Sequence, residues 1–211
     1  MTDAAREAVL GRVRAALGDA PPAAVAIPRA YRQAGAPAAA VAAAGVVDRF
    51  CERVAEYRAR VHRTCASDLD TLVGELLGRG RVLVPAAPPS LPAGLDALRD
   101  EPPLAPRELD AADAVLTGCA LAIAQTGTIV LDGSAACGRR ALTLVPDRHV
   151  CVVRAGQIVP AVPDAIAELA QLGATRSPIT LISGPSATSD IELERVEGVH
   201  GPRVLDVVVI I

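Results

Sequence analysis

The chain has 211 residues, enough for one domain with a substantial core, and a formal net charge of −3. All 21 basic residues are arginine, which excludes a Schiff-base lysine, a P-loop lysine and lysine general-base chemistry. An acidic balance with one Phe, two Tyr and no Trp leaves no footprint for nucleic acid and no stacking platform for flavin.

Residues 3–17 read as an amphipathic helix with Val9, Leu10, Val13 and Leu17 on one side, stopped by Gly18. Residues 19–37, rich in Pro and Ala, read as a linker, so residues 1–36 form an N-terminal arm and residues 37–211 the main domain. Such an arm docks on its own body or on a partner, and a homo-oligomer formed through it is one arrangement the sequence allows. Pro37 and the Ala-rich run beyond it predict a second helix to about residue 59.

A short strand is expected from Arg60 to Cys65. A helix capped by Ser67-Asp68 should then run to Leu77, followed by a buried strand at Arg81–Pro85. The Pro-rich stretch 86–108 is expected to carry a short helix near Leu95–Arg99, and 109–117 reads equally as helix or strand. Ala120–Ala124 and Thr128–Leu131 flank a tight turn as paired strands, and Gly133–Arg140 is a loop. Val150–Val153 is a buried strand, Asp164–Leu172 a helix, Pro178–Ile182 a buried strand, and Val204–Ile211 the last strand. Alternating strands and helices predict an α/β fold around an open, largely parallel sheet flanked by helices. Ligands in such sheets sit at the carboxyl ends of strands.

The most informative stretch is Ser183-Gly184-Pro185-Ser186-Ala187-Thr188-Ser189-Asp190. A strand emptying into small hydroxyl residues, with Thr188-Ser189-Asp190 opening a short polar helix, builds a concave anion site. A plain capped turn is the competing reading. Thr126, Gly127 and Thr128 offer hydroxyls and an unhindered amide, or simply a hairpin turn. Arg140 closes a Gly-bounded loop and suits a carboxylate or phosphate. His200, framed by Gly198 and Gly201, is the general-base candidate with Asp190, or else a structural turn residue. His149 could be no more than a strand-edge residue. Three scattered histidines make no metal site, and no flavin or nicotinamide fingerprint occurs, so no metal and no cofactor are expected. Cysteines 51, 65, 119, 137 and 151 lack cluster spacing and read as free thiols in a reducing cytoplasm. Cys151 reads as core packing, while Cys137, in the Gly-rich loop, is the one to test as reactive. The polar start and the short Ala-rich window predict a soluble cytoplasmic protein without a membrane span.

Taken together, Ala124-Gln125-Thr126-Gly127-Thr128, Leu144–Val150, Gln157–Val159 and Ser183–Glu192, with Val196–Arg203, resemble the lactate-utilisation protein C family (LutC/YkgG), built on a LUD domain. The opening Val9–Leu17 is similar to that family's first helix. The resemblance implies a fold like the glucosamine-phosphate deaminase, ribose-phosphate isomerase and CoA-transferase superfamily (NagB/RpiA/CoA-transferase-like). It also implies a part in oxidising L-lactate to pyruvate beside two iron–sulfur subunits. Relatives often carry Glu where Gln125 stands, and an amide cannot exchange a proton usefully there. Lacking a cysteine cluster and any redox fingerprint, the chain reads as a non-redox subunit that binds a small carboxylate or phosphorylated ligand, or assembles the complex. A stand-alone isomerase or transferase on a phosphosugar or CoA ester, and a metabolite sensor, are the alternatives.

Overall fold

Valine-rich runs that must be buried on both sides become the interior strands of one parallel sheet. The computed structural model describes residues 3–18, 26–32, 35, 45–173, 178–188, 196–198 and 200–211. Residues 1–31 and 32–211 form two units. In the first, α1 (Asp3–Leu17) is the expected helix, with Val9, Val13 and Leu17 exposed.

The second unit begins with α2 (Val46–Glu56), β1 (Arg60–Thr64), α3 (Leu69–Leu77), β2 (Arg81–Val84), β3 (Asp96–Arg99), α4 (Pro106–Asp110) and β4 (Ala114–Thr117). It continues through the hairpin β5 (Leu121–Ile123) and β6 (Thr128–Leu131), a 3-10 turn at Arg140–Thr143, and β7 (Arg148–Arg154). After β8 (Ile158–Val159) and α5 (Val162–Gln171) come β9 (Thr180–Ile182), β10 (Ala187–Thr188), β11 (Val196–Glu197) and β12 (Val204–Ile210). Pro37–Ala44, where the second helix was expected to begin, lies outside the described residues, and α2 is described from Val46.

The main sheet has the order β1-β12-β7-β4-β2-β3 with every pair parallel, as the alternating pattern predicts. One face, through Val82, Leu116, Val150 and Val208, packs under Leu69, Val73 and Leu77 of α3. The other face, through Cys151, Val153, Val207 and Val209, meets Phe50 and Val54 of α2 together with Ala122 and Ile129 of a second sheet. That second sheet, β8-β5-β6-β9, is antiparallel at β5–β6 and β6–β9. Its outer face is covered by Ala165 and Leu169 of α5.

Asp206 stands out in the apolar strand β12, where it is fully buried. His62 Nε2 lies 3.0 Å from its Oδ1, and the Arg148 guanidinium donates to its Oδ2 at 2.9 Å. Strands β1 and β7 flank β12 and bring both partners to this carboxylate, and such pairing is what a buried charge requires.

Three expectations are corrected. Leu95–Arg99 is not a helix: Asp96–Arg99 is edge strand β3, paired with β2. Five residues gain too little from helical hydrogen bonds, whereas pairing satisfies the backbone and lets Leu98 pack with Leu83 and Leu109. The strand at 178–182 is not buried: it shortens to β9 at the edge of the second sheet, with Leu181 61% exposed. His149 is no edge residue either. It sits in interior strand β7, buried, with its Nε2 2.7 Å from Thr117 Oγ1.

Two contacts position the segments that matter below. A Cβ at Gly127, whose φ is +61°, would lie 2.7 Å from Arg53 C and Val54 N, so the β5–β6 turn seats directly on the backbone of α2. The Arg139 guanidinium donates to both carboxylate oxygens of Asp100, at 2.6 and 2.9 Å, and to Leu104 O at 2.8 Å. That fork ties the loop before the 3-10 turn to the end of β3, and it holds the Asp100 carboxyl below its usual pKa.

Gly127→Ala is expected to lower stability by about 3 kcal/mol, from the left-handed backbone and the clash with α2, read as a shifted urea midpoint. Because the folded state lowers the Asp100 pKa, its pair with Arg139 contributes fully above the unfolded value of about 3.9. That contribution is lost as pH falls through the lowered value. The urea midpoints of wild type and Asp100→Asn should therefore differ at neutral pH and converge as pH drops below about 4.

Candidate functional site

A cavity of about 440 Å³ opens between the end of α2 at Tyr57, the 3-10 turn with Arg140 and Thr143, the stretch 180–187, and the turn 200–202. It brings together Arg140, Ser183, Gly184, Ser186 and His200, five of the residues expected in the site. Tyr57 runs into β1, Thr143 towards β7 and Pro202 into β12, so the cavity lies against the entries to parallel strands. This corrects the expectation of a site at their carboxyl ends. Ser183 does follow the carboxyl end of a strand, but that strand is β9 of the second sheet.

Gly184 carries a φ of +130°, and a Cβ there would sit 2.7 Å from Tyr57 O. Its missing side chain makes room for the end of α2. Behind this wall runs a chain of hydroxyls: Thr126 Oγ1 to Thr128 Oγ1 at 2.7 Å, and Thr128 Oγ1 to Ser183 Oγ at 2.7 Å. Three hydroxyls joined by two bonds leave one proton free to donate. Run from Thr126 towards Ser183, the chain presents that proton at the cavity. Thr126, Gly127 and Thr128 therefore do not line the cavity: Gly127 seats α2, and the two threonines support Ser183.

Ser186 organises the opposite wall. Its Oγ accepts the His200 N–H at 3.0 Å, its N–H donates to Pro202 O at 2.8 Å, and its carbonyl accepts the Gly198 N–H at 3.1 Å. The hydroxyl proton of Ser186 stays available as a donor. The same turn is held from below by Arg203, whose guanidinium donates to both oxygens of Asp147 at 2.6 and 2.8 Å and keeps that carboxyl below its usual pKa.

Arg140 occupies the centre of the third wall. Its NH1 donates to Thr143 O and Thr143 Oγ1, both at 3.0 Å, and its NH2 to His200 O at 3.2 Å. These acceptors are all neutral, and no described carboxylate pairs with it. Partial burial lowers its pKa, though the guanidinium stays charged. The imidazole of His200 is exposed at the rim and makes no side-chain hydrogen bond to a described residue.

Ser189, Asp190 and the side chain of Thr188 lie outside the described residues. Ala187–Thr188 is a strand paired antiparallel with Val196–Glu197, and the short helix expected to open at Thr188-Ser189-Asp190 falls on residues outside the described ones. The expectation for Cys137 is corrected. It is buried, and desolvation pushes its thiol up to about 11, so it is a poor nucleophile. Among the described residues no group of three or more His, Cys, Asp or Glu side chains could hold a metal ion. No described helix is long and apolar enough to cross a membrane.

Sequence reasoning missed Tyr57 and Thr143. Tyr57 enters only because α2 ends beside Gly184, a tertiary contact. Thr143 had a local signal, standing three residues after Arg140 where a tight turn brings the two side chains together.

The LUD domain family matches residues 104–210 of this chain. A protein of Deinococcus radiodurans named Lactate utilization protein C is 52% identical over 170 residues, covering 79% of this chain and 80% of that protein. A protein of the same name from Geobacillus kaustophilus is 34% identical over 145 residues, 59% of this chain and 60% of its own length. The crystal structure of a DUF162 family protein from Deinococcus radiodurans superposes with a TM-score of 0.69 at 43% identity, covering 81% of this chain and 99% of that one. The chain belongs to the LUD domain family, in its lactate-utilisation protein C branch.

Proposed function

We propose that this chain is the non-redox, small-carboxylate-binding subunit of a system that oxidises L-lactate to pyruvate together with iron–sulfur partner subunits. The observation that carries the reading is Arg140, a cation on a cavity wall whose hydrogen bonds to the described residues all go to neutral acceptors. A guanidinium beside donor hydroxyls is the arrangement that holds a carboxylate in a fixed orientation. Ser183 and Ser186 supply donors from two further walls, so a 2-hydroxy acid could be gripped at its carboxylate and at its hydroxyl. Thr188, Ser189 and Asp190 belong to the proposed pocket on sequence grounds, with Asp190 and His200 as its candidate proton-handling pair. The names carried by the Deinococcus and Geobacillus relatives support the assignment to lactate utilisation.

Two measurements test it. Calorimetric titration of the full chain with L-lactate should show saturable binding. Arg140→Gln should weaken that binding by about 10- to 100-fold through loss of charge-assisted hydrogen bonds, with the circular-dichroism spectrum unchanged. Lactate-dependent dye reduction should appear when the chain is mixed with the iron–sulfur subunits and not with the chain alone. Turnover by the isolated chain, or no contribution in any mixture, overturns the subunit reading.

A further inference from the structure

A second cavity of about 250 Å³ shares Arg140, Thr143 and Thr180 with the first. Its other walls are Leu131, Asp132, Gly133, Gly138, Arg139 and Pro178; Arg139 is paired with Asp100, and most of the surface facing this chamber is hydrocarbon. The two chambers thus adjoin at Arg140, Thr143 and Thr180. The first is lined by Arg140 and the serine hydroxyls, the second mainly by apolar surface.

The volumes bear on the ligand. At about 30 Å³ per water, the first chamber alone has room for roughly fifteen water molecules, several times what a three-carbon acid displaces. A small-molecule site normally encloses most of its ligand's surface, so a lone lactate would leave most of this one filled with solvent.

From this juxtaposition we infer that the site is built for a 2-hydroxy or 2-oxo acid longer than lactate, its carboxylate on Arg140 and its apolar chain in the second chamber. The inference rests on the carboxylate-binding reading above and adds the size class of the ligand. Arg140, Thr143 and Thr180, which line both chambers, form the sill between them, and the chain of the acid passes over it. Each methylene that leaves water should then tighten binding by about fourfold at most.

The test is calorimetric titration of the full chain with L-lactate and with L-2-hydroxyhexanoate, on wild type and on Pro178→Phe. Pro178 is an exposed residue that lines the second chamber and not the first, so Pro178→Phe narrows that chamber and leaves the Arg140 wall intact. Wild type should bind the six-carbon acid about tenfold or more tighter than lactate. Pro178→Phe, with an unchanged circular-dichroism spectrum, should erase that advantage and leave lactate affinity as it was. Equal affinity for the two acids, or tighter lactate binding, overturns the inference and leaves the carboxylate reading standing. An advantage that survives Pro178→Phe also overturns it, because the chain then lies elsewhere. Binding of neither acid removes the carboxylate reading and this inference together.

Discussion

The close seating of α2 on two glycines is the contact on which the rest of the structure depends. Gly127 admits the backbone of Arg53 and Val54, and Gly184 admits the carbonyl of Tyr57. A methyl group at either position would meet backbone atoms, which cannot swing aside as a side-chain tip can. Between these seats Phe50 and Val54 fill a core that both sheets share. Helix α2 is therefore the wedge that fixes the second sheet against the first, and the cavity opens where that wedge ends.

This arrangement separates the residues of the most recognisable motifs into supporting and presenting roles. Thr126-Gly127-Thr128 supports: its glycine holds the helix and its hydroxyls hold Ser183. The Ser183–Ala187 stretch presents, because it crosses from β9 to β10 along the cavity wall. The turn around His200 is shaped from two sides, by Ser186 above and by the Arg203–Asp147 fork below. Arg139 and Arg140 illustrate the same division in adjacent residues. One is neutralised by Asp100 and anchors the loop, while the other lines the cavity and, among the described residues, bonds only to neutral acceptors. Buried or forked ion pairs thus act here as positioning devices.

The buried Asp206 follows the same logic within the main sheet. An acidic residue in the middle of an apolar strand is tolerated because β1 and β7 deliver His62 and Arg148 to it from either side. Nothing in the local pattern around Asp206 names those partners, which come from residues 144 and 58 positions away along the chain.

By itself the sequence determined the interior strands β2, β7 and β12 of the main sheet, because runs rich in Val, Leu and Ile have nowhere to go except between two covered faces, whereas β4 falls in 109–117, which reads equally as helix or strand. It also determined the helices α3 and α5 and the β5–β6 hairpin, whose Pro and Gly are local signals, although the Ser67-Asp68 cap expected for α3 makes no side-chain capping bond. Arg140, Ser183, Ser186 and His200 were legible as polar residues in small-residue loops, and the structure brings them to one cavity. Only the tertiary structure decided that Leu95–Arg99 pairs as an edge strand, that a second sheet exists, and that Gly127 serves packing. Only it decided that the cavity lies at the entries to the parallel strands, with Tyr57 and Thr143 in its walls. The physical reason is range. Burial period and turn chemistry act within a few residues, whereas edge pairing, a helix seated on a glycine and a shared guanidinium depend on segments far apart in the chain.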